Sequence, residues 1–234
     1  MDRPTSALDE LALVGLEGGF LVALPREAAE RLLGEAIRIN LPAGALVYRD
    51  EESPRLIVVV NGLLRVFLTS VDGRQVTVRY ARSGDVAGLA LVIGGPAPMS
   101  IQAMTSSLVV ALRVESLRAL LATDPGVARA CAEELTRQLH HLLDDISEQA
   151  FFTVRQRLVR QLLLLATVGD GPDLVVRVGQ QALADAIGSV REVVTRNLHQ
   201  LHEDGLVDIS RDEVVIRDPV KLAAMAGEPA RLPV

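Results

Sequence analysis

The stretch QQALADAIGSVREVVTRNLHQLHED, residues 180–204, decides how the rest of the chain is read. Gln180 to Ile187 is a short segment with apolar residues at helical spacing, and it breaks at Gly188-Ser189. A longer periodic segment runs from Val190 to Asp204 and stops at Gly205, where a left-handed C-terminal cap is expected. Two helices joined by a tight Gly-containing turn make a helix-turn-helix, whose second helix enters the major groove of DNA. Ser189 and Glu192 have the S-x-x-E spacing of a capping box, which predicts the start of that second helix.

At about 100° per residue, Val190, Val194, Asn197, Leu198 and Leu201 fall on one arc of the second helix. Arg191, Glu192, Thr195, Arg196, His199 and His202 fall on the other. Arg bonds guanine O6 and N7 together and Glu accepts from cytosine N4, so the polar arc carries base-reading chemistry. The candidate DNA-binding set is Arg191, Glu192, Thr195, Arg196 and His199, with Gln180 and Gln181 on the first helix and Val190 at the turn. The plainer alternative is an amphipathic surface helix in which Glu192 is only a cap. The residues after Gly205 weigh against it. Leu206 to Ser210, a turn at Arg211-Asp212, and Glu213 to Arg217 read as a short hairpin, the wing of a winged helix.

The 234 residues allow one or two domains with real cores, and 49% hydrophobic with 23% charged residues describes a globular chain. No apolar run approaches the roughly 20 residues of a membrane span and no signal-peptide pattern opens the chain, so a cytoplasmic location is expected. The single Cys131 rules out an internal disulfide and a four-cysteine site, and its apolar helical setting predicts a buried thiol. The net charge of −6 gives no support to nucleic-acid binding. Eight Arg stand against nine acids within 153–217, so affinity for DNA must come from where the arginines sit.

In chain order, residues 1–19 are weakly patterned, and Phe20 to Ile37 holds one or two short helices with Pro25 near a start. Turn signals then recur every eleven residues, at Asn61-Gly62, Asp72-Gly73, Ser83-Gly84 and Gly94-Gly95. Strand-like runs at Leu56 to Val60, Leu63 to Leu68, Gln75 to Tyr80 and Ser107 to Val114 make a β-sandwich or barrel. Asp124-Pro125 starts a helix that meets no breaker until about Ala150. Its apolar positions Ala128, Cys131 or Ala132, Leu135, Leu139, Leu142 and Ile146 step by three and four, the seam of a parallel dimer. Packing of this helix on its own barrel is the alternative, and a long helix has faces for both. Thr153 and Gln156 form a second capping box that opens a new helix, and Leu174 to Val178 is a short strand.

A roll, a long dimer helix, a hinge and a winged helix-turn-helix, in that order, resemble the CRP/FNR transcription regulators. The glycines of the roll (Gly44, Gly62, Gly73, Gly84, Gly88) match the family's pattern, and IGSVREVVTRNLHQLHEDGLV, 187–207, resembles its recognition region. The resemblance implies an α+β chain. It comprises an N-terminal extension (1–27), a cyclic-nucleotide-binding-like β-roll (28–122), a dimerisation helix (123–152) and a winged helix-turn-helix (153–234). The family's cAMP-receptor branch carries R-E-x-x-x-R, present here as Arg191, Glu192 and Arg196, which implies a palindromic TGTGA-like operator. It further implies a homodimer held by Leu135, Leu139, Leu142 and Ile146, with double-stranded DNA and RNA polymerase as partners.

The effector site departs from that pattern. The family places Gly-Glu for the ribose and Arg-Ser for the phosphate. Here Gly88 is followed by Leu89, and the Arg-Ser position falls at about Ala97-Pro98 in a GGPAP turn without a cation. Leu142 and Leu143 occupy the positions that would contact the purine. An anionic phosphate would enter that pocket without a charge partner, so cAMP dependence is not expected, and the effector is either apolar or weakly polar, or absent.

Enzymatic and metal readings find little. The first His is His140, beyond the roll, and His140-His141 diverge on adjacent helix positions, so neither a metal-binding cupin nor a haem site is expected. No catalytic constellation, phosphate-cradling loop or cofactor site is present in the pattern. The reading is a homodimeric, sequence-specific transcription regulator. Its rival is a ligand-binding signalling module whose C-terminal domain mediates protein contacts only.

Overall fold

A computed structural model describes residues 19–49, 53–95, 97–168, 173–210 and 213–227. The chain divides into two compact units, Met1–Thr69 with Val78–His140 and Ser70–Thr77 with His141–Val234.

The first unit is a β-roll. Its strands are β1 (Ile37–Leu41), β2 (Leu46–Tyr48), β3 (Leu56–Asn61), β4 (Leu64–Thr69), β5 (Gln75–Ala81), β6 (Val86–Ala87), β7 (Met99–Ala103) and β8 (Ser107–Leu112). They form two four-stranded sheets, ordered β1-β8-β3-β6 and β2-β7-β4-β5, with antiparallel ladders. The apolar run of β3, LIVVV, has no alternation because both faces are covered. Ile57 and Val59 point between the sheets with Tyr48, Leu64, Val66, Ile101 and Val109. Leu56, Val58 and Val60 instead join a second core built from helices. Those helices are α1 (Phe20–Ala23), α2 (Arg26–Gly34), α3 (Leu89–Gly94), α4 (Val114–Thr123) and the start of α5 (Pro125–Phe151). Phe20 and Leu32 are fully buried there, so the residues just before position 28 belong to the core of the roll.

Two strand expectations need correction. The run through Val114 ends at Leu112, because Val114 opens α4. Leu89 to Gly94 forms α3, an apolar hexamer that periodicity alone cannot assign to helix or strand. The strand read as Leu174 to Val178 stops at Val176.

The long helix begins as expected, with the Asp124 carboxylate accepting from the N–H of Gly126 (2.8 Å) and Val127 (3.3 Å). Its seam is split. Val127, Ala130 and Cys131 are buried against the roll and Leu135 packs beside them, so Leu135 serves the protomer's own core. Burial, and then Glu134, pushes the Cys131 thiol up to about 11, which makes it inert. One turn on, the apolar residues face outward: Leu139, Leu142, Leu143 and Ile146 are 53%, 38%, 41% and 55% exposed.

The second unit contains α6 (Val154–Leu165), β9 (Thr167–Val168), β10 (Leu174–Val176), α7 (Gln180–Ala186), α8 (Arg191–Glu203), β11 (Val207–Ile209), β12 (Val214–Ile216) and α9 (Pro219–Met225). The strands form one antiparallel sheet ordered β11-β12-β10-β9, and β11 and β12 make the wing. The tip of the wing, Arg211-Asp212, lies outside the described residues. The capping box at Thr153 is complete, with backbone and side-chain bonds to Gln156 in both directions. Arg160 braces the junction of α5 and α6 by bonding Glu148 (2.8 Å) and the Gly227 carbonyl (3.3 Å) while lying over the Phe152 ring.

Candidate nucleic-acid interface

The interface is built on α8. Val194, Leu198 and Leu201 are fully buried, which fixes the rotation of the helix on its unit. Asn197 shares that side because its amide donates to the Val193 carbonyl (2.8 Å), so it buries no unmet polar group. Truncating any of the three apolar residues is a core lesion, in the range of about 2–5 kcal/mol for a leucine. At its C-terminus, Gly205 has φ 70° and donates to His202, while Leu206 donates to Leu201. This pair of bonds is a Schellman cap, as the position of Gly205 predicts.

The N-terminus differs from expectation. Ser189 and Glu192 do not form a capping box. Gly188 adopts φ 61°, and the Ser189 N–H turns back to the Ala184 carbonyl (2.9 Å). Ser189 is thereby held in the turn, and the N-cap falls on Val190, which has no side-chain acceptor. Glu192 is left on the first turn of the exposed face. Val190 also leaves the apolar arc, being 54% exposed at the mouth of the helix.

Arg191, Glu192, Thr195, Arg196 and His199 line one open concavity. Four residues singled out in the sequence are engaged in bonds of their own. The Thr195 hydroxyl donates to Gln180 Oε1 (2.6 Å), which joins α8 to α7, and also lies 2.9 Å from the Arg191 carbonyl. The Gln181 amide donates to Asp185 (2.8 Å). His202, on the same polar arc, places Nδ1 2.9 Å from the Val207 carbonyl and 3.4 Å from Asp208. Its ring braces the wing strand against the helix. Arg191 and Arg196 enter no ion pair among the described residues.

The sequence-predicted effector positions are distributed along the roll and helix. Gly88, at φ 87°, caps α3. A Cβ there would sit 1.9 Å from the Arg55 carbonyl oxygen, so no other residue fits. Leu89 is fully buried, Ala97 packs on the core between the sheets and Pro98 is exposed. Leu142 and Leu143 stand outward on α5. Sequence reasoning missed a polar network beside Gly88. Arg79 on β5 donates to the Val86 carbonyl (2.5 Å), and the Gln138 amide reaches the same oxygen (3.4 Å). Gln138 also donates to Glu134 (2.5 Å), which is only 2% exposed and pairs with Arg137. Burial lowers the Arg79 guanidinium from its ordinary value, opposed by Asp85 and Glu134. Its members are scattered over 79–138 and carry no shared motif, so no local signal could have found it.

Near the end of α5, burial pushes the Asp145 carboxyl up to about 6. Glu148 and Asp144 push the same way and His141 opposes them. The folded chain therefore holds this proton more tightly than the unfolded chain. The stabilisation is complete below about 4 and lost as pH rises through about 6. Lowering pH from 7.5 to 5.5 should raise the melting temperature through this group, and Asp145→Asn should raise it at pH 7.5 while flattening that dependence. A wild-type profile unchanged by the substitution would refute the assignment.

Among the described residues no helix is long and apolar enough to cross a membrane, and no group of three or more His, Cys, Asp or Glu is placed to hold a metal ion. Residues 156–225 match the model of a Crp-like helix-turn-helix domain, and residues 38–124 that of a cyclic nucleotide-binding domain. The chain is 30% identical over 182 residues to the cyclic AMP receptor protein of Thermus thermophilus, covering 77% of this chain and 83% of that protein. It is 26% identical over 215 residues to a CRP-like cAMP-activated global transcriptional regulator of Mycobacterium tuberculosis, covering 89% and 96%. Among solved structures, a CRP-family transcriptional regulator of Thermus thermophilus superposes with TM-score 0.69 at 27% identity, covering 82% and 97%. A regulator of the crp/fnr family from Eubacterium rectale does so with TM-score 0.75 at 20% identity, covering 87% and 95%, a likeness of fold alone.

Proposed function

The chain belongs to the CRP/FNR family of transcription regulators, and from that premise we propose that it acts as a homodimer on a palindromic, TGTGA-like operator without cAMP. The observation that carries the DNA reading is the face of α8. Among the described residues Arg191 and Arg196 enter no ion pair there, beside Glu192, on a helix whose opposite side is fully buried. Arg191 and Arg196 read guanine edges and Glu192 reads cytosine. Thr195 and Gln180 hold the helix in register, and His199, Gln181 and Val190 contact the flanking backbone and groove. The outward stripe Leu139, Leu142, Leu143 and Ile146 supports the dimer, because such a row in water wants a copy of itself. Two recognition helices related by a two-fold then sit about 34 Å apart, one turn of DNA. RNA polymerase is the further partner, and the cytoplasm the compartment.

Retention of genomic fragments in gel shifts, repeated at rising salt, tests this reading. A discrete subset of fragments should survive at salt concentrations that strip the rest. Uniform loss of all fragments would contradict it.

For the effector, the departures from the family's pocket point one way. The positions for carboxylate, cation and purine contacts hold Leu89, Ala97-Pro98 and Leu142-Leu143, and Leu89 is buried. Arg79, Gln138 and Glu134 meanwhile tie β5, β6 and the long helix together from within. A ligand shifts an equilibrium only through differential affinity for its two states. Millimolar cAMP or cGMP should therefore change neither melting temperature nor operator affinity. A saturable heat of cAMP binding accompanied by tighter operator binding would overturn this part.

A further inference from the structure

Within 153–217 nine acids stand against eight arginines, and the structure shows where several of those charges go. Arg217, just after β12, donates from Nε to Asp208 (2.7 Å) and from Nη1 to Asp173 (2.9 Å), spanning the wing sheet. Arg177, after β10, pairs with Glu213 (3.1 Å) at the other end of the same strands. Arg155 pairs with Asp204 and Arg160 with Glu148. The recognition-helix arginines are the contrast, since neither Arg191 nor Arg196 is paired among the described residues. Phosphates attract cations whatever the sequence, and each such contact releases counterions and adds about 0.9 to the salt slope. A cation already facing a carboxylate gives little of this, because an approaching phosphate meets the acid as well as the base.

We propose that Asp173, Asp208 and Glu213 are specificity determinants: by neutralising Arg217 and Arg177 they keep the wing from gripping phosphate and leave discrimination to the bases read by α8. The proposal rests on the DNA-binding reading above and deepens it. Base contacts specify while phosphate contacts only position, so suppressing the second raises the ratio of specific to non-specific affinity.

The test uses full-length protein, a palindromic duplex selected from random sequence, and a scrambled duplex of the same length. Asp173→Asn with Asp208→Asn, which removes both carboxylates from Arg217, should tighten binding to scrambled DNA by about tenfold at about 50 mM salt and steepen the salt slope by about one, and Glu213→Gln should shift both the same way by less. Affinity for the selected duplex should rise less, so the specificity ratio falls. Glu133→Gln, which makes the same charge change on the long helix, should leave slope and ratio unmoved. Should the double variant fail to fold, as read by circular dichroism, Asp208→Asn alone decides, with a smaller shift in the same direction because Asp173 still faces Arg217. Unchanged slope and unchanged scrambled-DNA affinity, in a protein whose wild type discriminates, would overturn the proposal. A wild type that selects no duplex would instead overturn the DNA reading itself.

Discussion

Replacing Leu139 and Ile146 together with Glu is expected to turn the protein into monomers that no longer hold a palindromic operator. The two residues are more than half exposed on one protomer and lie seven positions apart, on one stripe with Leu142 and Leu143. In a parallel pair of helices each faces its own copy, so the double substitution sets four carboxylates into an apolar seam. The cost to DNA binding follows from avidity. A dimer binds its second half-site as an intramolecular event, and losing that linkage costs about 10²- to 10⁴-fold in affinity without touching a base contact. Light scattering reads the first effect and a gel shift the second. Both substitutions lie outside the buried face formed by Val127, Ala130 and Cys131, so each protomer's roll should melt as before. A variant that stays dimeric would show that the subunits meet elsewhere.

The second large effect is expected at the bases. Arg191→Ala or Arg196→Ala should each cost about 1–3 kcal/mol on the operator, roughly 5- to 150-fold. Scrambled DNA should lose less, because a base contact contributes nothing where the base is wrong. Neither side chain supports the fold, since both are exposed and enter no ion pair among the described residues, so a shift in melting temperature is not expected. Equal losses on operator and scrambled duplexes would reduce both arginines to phosphate contacts.

Much of the architecture was legible because backbone requirements leave residue-level marks. Glycines at φ > 0 punctuate the roll at the eleven-residue turns, and the unbroken LIVVV of β3 reports a strand covered on both faces. The Thr153 capping box and the Gly205 cap are local bonds between neighbours in sequence, and both form as read. The failures have physical causes of the opposite kind. Ser189 has the spacing of a cap, but the Gly188 turn takes it up one residue too early and the N-cap falls on Val190. The heptad along α5 reads as one seam although its buried start and its exposed end face different surroundings, because periodicity records which face is apolar and not what covers it. The Arg79–Glu134–Gln138 network and the Arg217–Asp173–Asp208 bridge join residues distant in the chain. In sequence they look like ordinary surface charges.

Dimer formation and base reading through α8 are measured together in a fluorescence anisotropy titration at about 0.15 M salt with a palindromic TGTGA-like duplex and its scrambled counterpart. Two protomers should bind each duplex, and the palindrome should bind at least about 10³-fold tighter than the scramble. Equal affinity for the two duplexes, or one protomer per site, would contradict it.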